Sequence, residues 1–455
     1  MSFEYENLEN LNIQLIDGDR GKNYPKQSEF QESGYCLFLS AKNVTKSGFQ
    51  FSEKVYVSEE RHNLLRAGKL ERYDIVLTTR GTIGNVAFYD NSVLDDVVRV
   101  NSGMLILRAN TTVWNPRFLY FLFTSKIIQE QISSLTSGSA VPQLPAKDLR
   151  KFLLPKVPMG VQNYIVKVIG DLSDKLKIND QTNQTLEEMA QAIFKSWFVD
   201  FDPVKAKMNG EQPEGMDAAT ASLFPEKLVD TDVGDLPDGW KLVPVGELLD
   251  KTIGGDWGKE EPDEKHTEEV RIVRGTDIPK LHGGAIESVP VRYVESKKLK
   301  TRKLERGDIV IEVSGGSKDQ PTGRSLFISD NILKRLELPS EPASFCRRFT
   351  PKSYEIGLLL AVHFQLMYQA GKTWEYQNQS TGISNFQTKY FLEAEHIVIP
   401  SDDVLDAFVK QVSPMMDMIH SNQNIELAKL RDTLLPKLLS GEIELGETEE
   451  MAEVN

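Results

Sequence analysis

VQNYIVKVIGDLSDKLKINDQTNQTLEEMAQAIFKSWF (residues 161–198) is the stretch that decides how the chain is organised. It contains no proline and one glycine, and its apolar residues recur at gaps of three or four, the period of a helix with one apolar face. Such a helix is roughly 55–60 Å long, more than one compact domain can cover, so it requires a long partner helix. The apolar stripe consists of Val161, Ile165, Val168, Leu172 and Leu176 and, after a polar centre at Asn179 and Asn183, of Leu186, Met189, Ile193 and Trp197.

A second copy of this helix lies near the other end of the chain and supplies the partner. Its upstream part carries an apolar stripe from Leu405 to Ile419, and Pro414 and Pro436 are expected to kink or shorten it. Its downstream part repeats the first helix at a constant offset of 241, so that Leu186, Met189, Ile193, Phe194, Trp197 and Phe198 lie over Leu427, Leu430, Leu434, Leu435, Leu438 and Leu439.

The stretches before the two helices also repeat. Leu70–Val76 (LERYDIV) matches Leu304–Val310 (LERGDIV) at an offset of 234, and at the same offset Phe38–Val44 lies over Ile272–Ile278. Short apolar runs between turn signals predict strands in both copies. The sequence therefore predicts an α+β fold in which two repeated domains are joined by two long antiparallel helices with pseudo-two-fold symmetry. The predicted segments are a first module over 1–158, a central helix over 159–200, an extended linker over 201–235, a second module over 236–400, a C-terminal helix over 401–441 and an acidic, disordered tail over 442–455.

The net charge of −14 is unevenly distributed. Residues 1–158 carry 19 Lys and Arg against 17 Asp and Glu, and residues 236–400 carry 23 against 24, whereas the helices, linker and tail hold the excess acid. Near-neutral modules rich in Lys and Arg can present a basic face to nucleic acid. The two cysteines, Cys36 and Cys346, are isolated, and no membrane span or signal peptide is evident, so we expect a cytoplasmic protein with reduced thiols.

Catalytic motifs are missing from the sequence. Asn115–Phe118 (NPRF) reads as the start of a helix that runs to Ser133, with Asn115 as its N-cap, rather than as a catalytic loop. No GxxxxGK[ST] motif occurs, and no lysine lies two residues after Glu312 as a nuclease core requires. The six histidines show no metal-ligand spacing, so we expect neither a metal nor an enzyme activity on this chain.

Four segments resemble a known family, the specificity (S) subunits of type I restriction–modification systems. They are Ile193–Val204 (IFKSWFVDFDPV), Met208–Gly210, Pro213–Met216 and the module entry Leu236–Trp240 (LPDGW), which has no equivalent before the first module. The resemblance covers nearly the whole chain. It implies that the modules are target-recognition domains, each reading one half of a bipartite, asymmetric site in double-stranded DNA, and that the helices set the spacer between the half-sites.

The resemblance also implies partners that carry the chemistry. Two methyltransferase subunits would bind S-adenosylmethionine and methylate adenine, and restriction subunits would use ATP and Mg²⁺ to translocate and cleave DNA, with no cofactor on this chain. Two alternatives stay open: a specificity subunit of a related methylation or defence system without a restriction subunit, and a coiled-coil scaffold without a DNA role.

Candidate DNA-reading residues are Arg, Lys and amide side chains in polar loops, because these groups hydrogen-bond to guanine and adenine edges. The candidates are Arg20, Lys22, Lys42, Arg80, Asn85 and Gln143 in the first module and Lys259, Arg274, Ser317, Lys318, Arg324 and Gln379 in the second. Aromatic residues that widen the helical stripe suggest a docking face for a methyltransferase subunit, although intramolecular packing would explain them equally. The candidate docking residues are Phe194, Trp197, Phe198, Leu435 and Leu439.

Overall fold

The structure is a computed structural model that describes residues 3–136, 143–232, 234–317, 320–380, 383–421 and 423–443. The chain divides into two compact units, unit 1 (Met1–Lys175 with Ala428–Asn455) and unit 2 (Leu176–Leu427). Both combine helices with small sheets, which confirms the α+β prediction. Most of the predicted acidic tail, from residue 444 onwards, lies outside the described residues. In the part of the chain that is described, no helix is long and apolar enough to cross a membrane.

Unit 1 is built from short strands followed by helices. Its strands are β1 Tyr5–Asn7, β2 Ile13–Asp17, β3 Cys36–Leu39, β4 Val44–Thr45, β5 Gly48–Phe49, β6 Tyr56–Val57, β7 Ile75–Thr78, β8 Val86–Phe88, β9 Val98–Val100, β10 Met104–Ala109 and β11 Leu153–Pro155. Its helices are α1 Glu59–Leu64, α2 Pro116–Thr124, α3 Lys126–Thr136, α4 Ala146–Leu149 and the first part of α5 Met159–Phe198.

Unit 2 follows the same plan. Its strands are β12 Leu228–Val229, β13 Leu236–Pro237, β14 Lys241–Pro244, β15 Leu249–Gly254, β16 His266–Val273, β17 Val291–Glu295, β18 Ile309–Glu312, β19 Ser314–Gly315, β20 Ser325–Phe327, β21 Ser340–Pro342, β22 Cys346–Pro351, β23 Gln377–Ser380, β24 Ile383–Phe386 and β25 His396–Ile399. Its helices are α6 Asp202–Met208, α7 Ala218–Ser222, α8 Ile278–His282, α9 Ser296–Arg302, α10 Asp330–Leu336, α11 Tyr354–Gln369, α12 Thr388–Ala394, α13 Asp402–Ile419 and α14 Gln423–Ser440, whose C-terminal part belongs to unit 1.

The two units share their sheet topology, which confirms the repeat predicted from the sequence. An antiparallel sheet of order β2-β10-β7-β8 in unit 1 has its counterpart in β15-β22-β18-β20 of unit 2. A three-stranded sheet of order β6-β3-β9, with one antiparallel and one parallel pairing, corresponds to β17-β16-β21. The matching stretches Phe38–Val44 and Ile272–Ile278 both begin in the central strand of this second sheet.

The repeated LERxDIV motif builds the same buried ion pair in each unit. In unit 1 the Asp74 carboxylate accepts hydrogen bonds from the Glu71 N–H (2.7 Å) and from Arg108 Nε (2.9 Å). In unit 2 Asp308 accepts from the Glu305 N–H (2.6 Å), and Arg348 Nε lies 2.7 Å from its Oδ2. Both aspartates are buried, so each needs its arginine as counter-charge.

Helix α5, Met159–Phe198, confirms the predicted long helix, and the boundary between the two units falls within it. Ile165 and Ile169 are buried in unit 1, whereas Phe194 and Trp197 are buried in unit 2. The predicted stripe is wrong at Met189, which is 45% exposed. Its place in the core is taken by the next residue, Ala190, because Ala190, Phe194 and Trp197 form the face that packs on unit 2.

Two predicted helices are interrupted. The C-terminal helix consists of α13 and α14, and the interruption follows His420, whose ring is buried with Nδ1 3.0 Å from Ser329 Oγ. Both prolines lie inside the helices rather than at the break. The helix predicted from Asn115 does begin there, since the Asn115 side chain accepts hydrogen bonds from two backbone N–H groups, but it breaks at Ser125, which has extended backbone.

The linker prediction is wrong. Residues 201–235 were expected to be extended, but they contain α6 and α7, and the apolar residues Val204 and Phe224 are buried in the core of unit 2. Phe224 packs edge-on against Trp197 with ring centroids 5.0 Å apart. Burial of these two side chains favours a folded segment over an extended one.

One register position of the repeat carries opposite charges in the two units. In unit 1, Arg99 pairs with Phe38 across the parallel strands, and its buried guanidinium donates to the carbonyls of His62, Leu65 and Ala67. In unit 2 the same position holds Glu341, which is fully buried and whose two carboxylate oxygens have no hydrogen-bond partner among the described residues. Burial raises the pKa of Glu341 to about 7.

We predict that Glu341→Gln stabilises the protein at pH 8 but has little effect at pH 5. Because the pKa of the folded state lies above the ordinary value of 4.5, ionisation opposes folding as the pH rises from 4.5 to 7, and the full effect, roughly 3 kcal/mol, is present above pH 7. Urea unfolding at both pH values measures it. Glu264→Gln, at an exposed glutamate, is the matched control. Equal stability of the Glu341→Gln variant and the parent protein at pH 8 would contradict the prediction.

Candidate nucleic-acid interface

Three loops of unit 1 meet at the end of the four-stranded sheet where β2 and β7 end and β10 begins. Backbone hydrogen bonds tie them together: the Gly18 N–H donates to the Met104 carbonyl (3.3 Å), and the N–H groups of Thr79 and Arg80 both donate to the Gly103 carbonyl (2.8 and 3.2 Å). A Cβ on Gly18 would lie 2.0 Å from a backbone oxygen of the facing loop, so this close approach requires glycine.

Three of the predicted DNA-reading residues come together here, Arg20 and Arg80 on these loops and Gln143 on the segment that precedes α4. Arg20, Arg80 and Gln143 line one surface cavity of about 120 Å³. Arg20 Nη2 donates to Asp17 Oδ1 (3.0 Å) and to the Ser102 carbonyl (3.3 Å). Arg80 is exposed, pairs through its backbone with Gln143, and has no acidic partner within 4.0 Å among the residues that the structure describes. Its guanidinium is therefore available to a ligand.

Unit 2 has the same hydrogen-bonded loops. The Gly255 N–H donates to the Cys346 carbonyl (3.1 Å), and the N–H groups of Val313 and Ser314 both donate to the Phe345 carbonyl (2.8 and 3.3 Å). A Cβ on Gly255 would lie 2.1 Å from a facing backbone oxygen, as at Gly18.

A further bond completes the match between the two sets of loops. The Leu144 N–H donates to the Thr79 carbonyl (3.0 Å) in unit 1, as the Phe386 N–H donates to the Val313 carbonyl (2.8 Å) in unit 2. We call this shared backbone arrangement the loop frame.

The loop frame makes four side-chain positions equivalent in the two units, and we call them the reading positions. Arg80 and Gln143 face each other across a bridge in unit 1, as Ser314 and Asn385 do in unit 2. The third position is the residue whose carbonyl accepts two backbone hydrogen bonds, Gly103 or Phe345. The fourth is the second residue after the closely packed glycine, Gly18 or Gly255. In unit 1 and unit 2 respectively, the pairs are Arg20 and Trp257, Arg80 and Ser314, Gly103 and Phe345, and Gln143 and Asn385.

The remaining candidates of unit 1 lie elsewhere on its surface. Lys22 is exposed. Lys42 is also exposed and pairs with Glu53 at 3.2 Å. Asn85 is half-buried, and its amide donates to the Val44 carbonyl (2.9 Å), so part of its hydrogen-bonding capacity is used within the unit.

Two predicted arginines of unit 2 are tied to buried carboxylates. Arg274 makes two hydrogen bonds of 2.8 Å to Asp277, which is fully buried. Arg324 donates to both oxygens of the buried Glu312 (2.9 and 2.6 Å), and these bonds raise the pKa of Arg324. Both guanidinium groups neutralise buried acids and thereby stabilise unit 2, which leaves less of each available for the base contact that the sequence predicts.

The other candidate DNA-reading residues of unit 2 differ in their surroundings. Lys259 is exposed and pairs with Asp263 at 2.5 Å. The Ser317 N–H donates to the Gln320 carbonyl (2.8 Å), and Gln379 lies in β23, where its backbone pairs with Ser384. Lys318 lies outside the described residues.

Sequence reasoning missed Ser314, Phe345 and Asn385. The offset of 234 maps Arg80 onto Ser314 and would have found it. Phe345 and Asn385 lie beyond insertions that change the offset to 242, so only the hydrogen-bond pattern identifies them.

The predicted docking face is occupied within the chain. Phe194, Trp197 and Phe198 are at most 4% exposed, and the Phe198 ring lies 5.1 Å from that of Phe408 in unit 2. Leu435 and Leu439 are buried in the core of unit 1. These residues pack intramolecularly, and their assignment as a free docking surface is corrected.

The chain is thus a protein of two repeated α+β units that present the same loop frame with different side chains. Residues 12–188 match the family described as the type I restriction modification DNA specificity domain. The type I restriction enzyme HindI specificity subunit of Haemophilus influenzae is 25% identical over 94% of this chain and 98% of its own length. The MjaIX specificity subunit of Methanocaldococcus jannaschii is 26% identical over 89% and 87%.

A solved structure shares the fold. The S subunit of a type I restriction–modification system from M. genitalium covers 96% of each chain with a TM-score of 0.54 and 15% identity. Residues 12–188 thus match a type I specificity domain, and the chain is similar along most of its length to type I restriction–modification specificity subunits, the resemblance that the sequence motifs predicted. Within the described residues, no group of three or more His, Cys, Asp and Glu side chains is arranged to hold a metal ion.

We predict that Gly18→Ala and Gly255→Ala each lower the free energy of unfolding by about 1–3 kcal/mol, because the new methyl group forces backbone apart. Urea unfolding measures the loss. The control is Gly160→Ala in α5, where a Cβ has nothing within 4 Å and the helix tolerates or favours alanine. If Gly18→Ala and Gly255→Ala are as stable as Gly160→Ala, the loop frame does not depend on these close approaches.

Proposed function

We propose that this chain reads an asymmetric, bipartite DNA site for a type I restriction–modification complex, with one half-site for each unit. The observation that carries the proposal is the loop frame: backbone hydrogen bonds hold four residues in equivalent positions in both units, and the residues differ in type. Equivalent frames suit two similar stretches of duplex, and different side chains suit different base sequences.

The exposed side chains of unit 1 fit direct readout of bases. Arginine donates bidentately to guanine O6 and N7, and glutamine pairs with adenine in the same way. Arg80 and Gln143 lie side by side and exposed, and the polar pair at the same place in unit 2 is Ser314 and Asn385. Arg20, half of whose side chain is exposed, and Lys22 are suited to phosphate contacts, which position the protein on DNA.

The chemistry of the complex belongs to partners in this proposal. Specificity subunits of type I systems assemble with other subunits. We assign methylation of adenine to two methyltransferase subunits that bind S-adenosylmethionine, and cleavage to restriction subunits that use ATP and Mg²⁺, all in the cytoplasm. Docking on α5 would use Ile178 and Met189, which are 54% and 45% exposed and lie eleven residues apart on one helix face.

The spacer between the half-sites is assigned to α5 in the same proposal. The helix runs without a break from Met159 in unit 1 to Phe198 in unit 2, and its 40 residues correspond to about 60 Å. A rigid helix favours one spacer length over a range of lengths. We expect a spacer of about one turn of DNA or somewhat less between the inner edges of the half-sites.

The test is to co-express the chain with its cognate methyltransferase subunit and to sequence the genome for modified adenines. The parent protein should yield one split motif with two different half-sites and a fixed spacer. Arg80→Ala should relax one position of one half-site, at a cost of about 1–3 kcal/mol, and leave the other half-site unchanged.

Lys42→Ala is the matched control, because this exposed lysine pairs with Glu53 and lies outside the reading positions. The absence of any motif with the parent protein would support a scaffold instead. A change in both half-sites with Arg80→Ala would contradict the assignment of one half-site to each unit.

A further inference from the structure

Phe345 is a large apolar side chain that unit 2 leaves 62% exposed at the end of its four-stranded sheet. The turn that carries it is held from both sides. The Cys346 N–H donates to the Ala343 carbonyl (2.8 Å), the Ala343 N–H donates to Val273 (2.8 Å), and Phe345 itself accepts from Val313 (2.8 Å). The ring therefore projects from fixed backbone rather than from a loose loop.

The same position in unit 1 is Gly103, which has no side chain. A second reading position also holds an aromatic residue in unit 2. Arg20 of unit 1 corresponds there to Trp257, which is 41% exposed. The reading positions of unit 2 thus combine two exposed aromatic rings with two small polar side chains, the half-buried Ser314 and the exposed Asn385. Two exposed aromatic rings at positions where unit 1 has an arginine and a glycine are available for contact with another molecule.

Thymine is the base that offers an apolar group in the major groove, its 5-methyl, and Phe side chains recognise it by contact. Aromatic wedges that part base steps act mainly from the minor groove. Phe345 lies next to Ser314, whose N–H bonds to the Phe345 carbonyl (3.3 Å), and close to a hydroxyl and an amide that suit base edges. Contact with a base edge in the major groove fits these surroundings better than insertion between bases.

Resting on the proposed function, we propose that unit 2 reads a thymine in its half-site through the 5-methyl group, with Phe345 as the contacting side chain. Unit 1, with Gly103 at this position, reads its half-site by hydrogen bonds and makes no such contact. The difference in chemistry between the units therefore extends to the kind of base feature that each one reads.

The experiment measures binding of the complex with its methyltransferase subunits to duplexes that carry the methylated motif. Each thymine is replaced in turn by uracil, which lacks only the methyl group. With the parent protein, one uracil in the half-site that Arg80→Ala leaves unchanged should weaken binding about four-fold, the effect of one buried methyl group. Phe345→Ala should bind the thymine duplex at least as weakly and should not distinguish thymine from uracil.

Leu94→Ala is the matched control, because Leu94 is 88% exposed in the loop that follows β8, at the other end of the strands. It should behave as the parent protein does, and unfolding curves should show all three proteins equally stable. The inference is overturned if no uracil weakens binding of the parent protein, if Phe345→Ala still distinguishes thymine from uracil, or if that half-site contains no thymine. Loss of all motif-specific binding by the parent protein would instead contradict the proposed function.

Discussion

Backbone hydrogen bonds to a single carbonyl oxygen, that of Gly103 in unit 1 and of Phe345 in unit 2, hold the candidate reading loops in place. Each accepts from two consecutive N–H groups of the loop that follows the third strand of the four-stranded sheet, and the glycine approaches at Gly18 and Gly255 close the arrangement. Buried backbone groups must be paired whatever the side chains are. Because the frame is made of backbone, it constrains side chains little, and one fold can present different chemistries on each unit.

Outside the loop frame, the two units share their sheet topology but differ in some of their buried charged side chains. The buried aspartate of the LERxDIV motif keeps an arginine partner from a neighbouring strand in both units, Arg108 of β10 and Arg348 of β22. The parallel strands β9 and β21 differ instead: Arg99 of β9 is hydrogen-bonded to backbone carbonyls, whereas the carboxylate of Glu341 in β21 has no hydrogen-bond partner among the described residues. The charged side chains that remain at the candidate interface are those without a buried partner, which separates Arg80 from Arg274 and Arg324. Burial and pairing, rather than residue type, decide which arginines are available to a ligand.

The repeat and the long helix could be predicted from the sequence because they depend on local patterns. LERYDIV and LERGDIV are identical at six of seven positions, and the helical stripe has a period that a reader can count. The errors came from contacts between residues distant in sequence. Phe224 folds the linker by packing on Trp197, and His420 is buried beside Ser329 where the C-terminal helix breaks. Arg324 could be recognised as structural only once Glu312 was seen to be buried beneath it. Side-chain partners of this kind leave no periodic signal.

We propose that the four reading positions determine each half-site within a common frame. The most direct test places the side chains of unit 1 on unit 2, in the variant Trp257→Arg, Ser314→Arg, Phe345→Gly and Asn385→Gln. The modified-adenine motif of the complex is then determined by sequencing. We predict that the half-site of unit 2 changes its bases while the half-site of unit 1 and the spacer stay as they were. An unchanged motif in a folded, active complex, or a change in the half-site of unit 1, would contradict it.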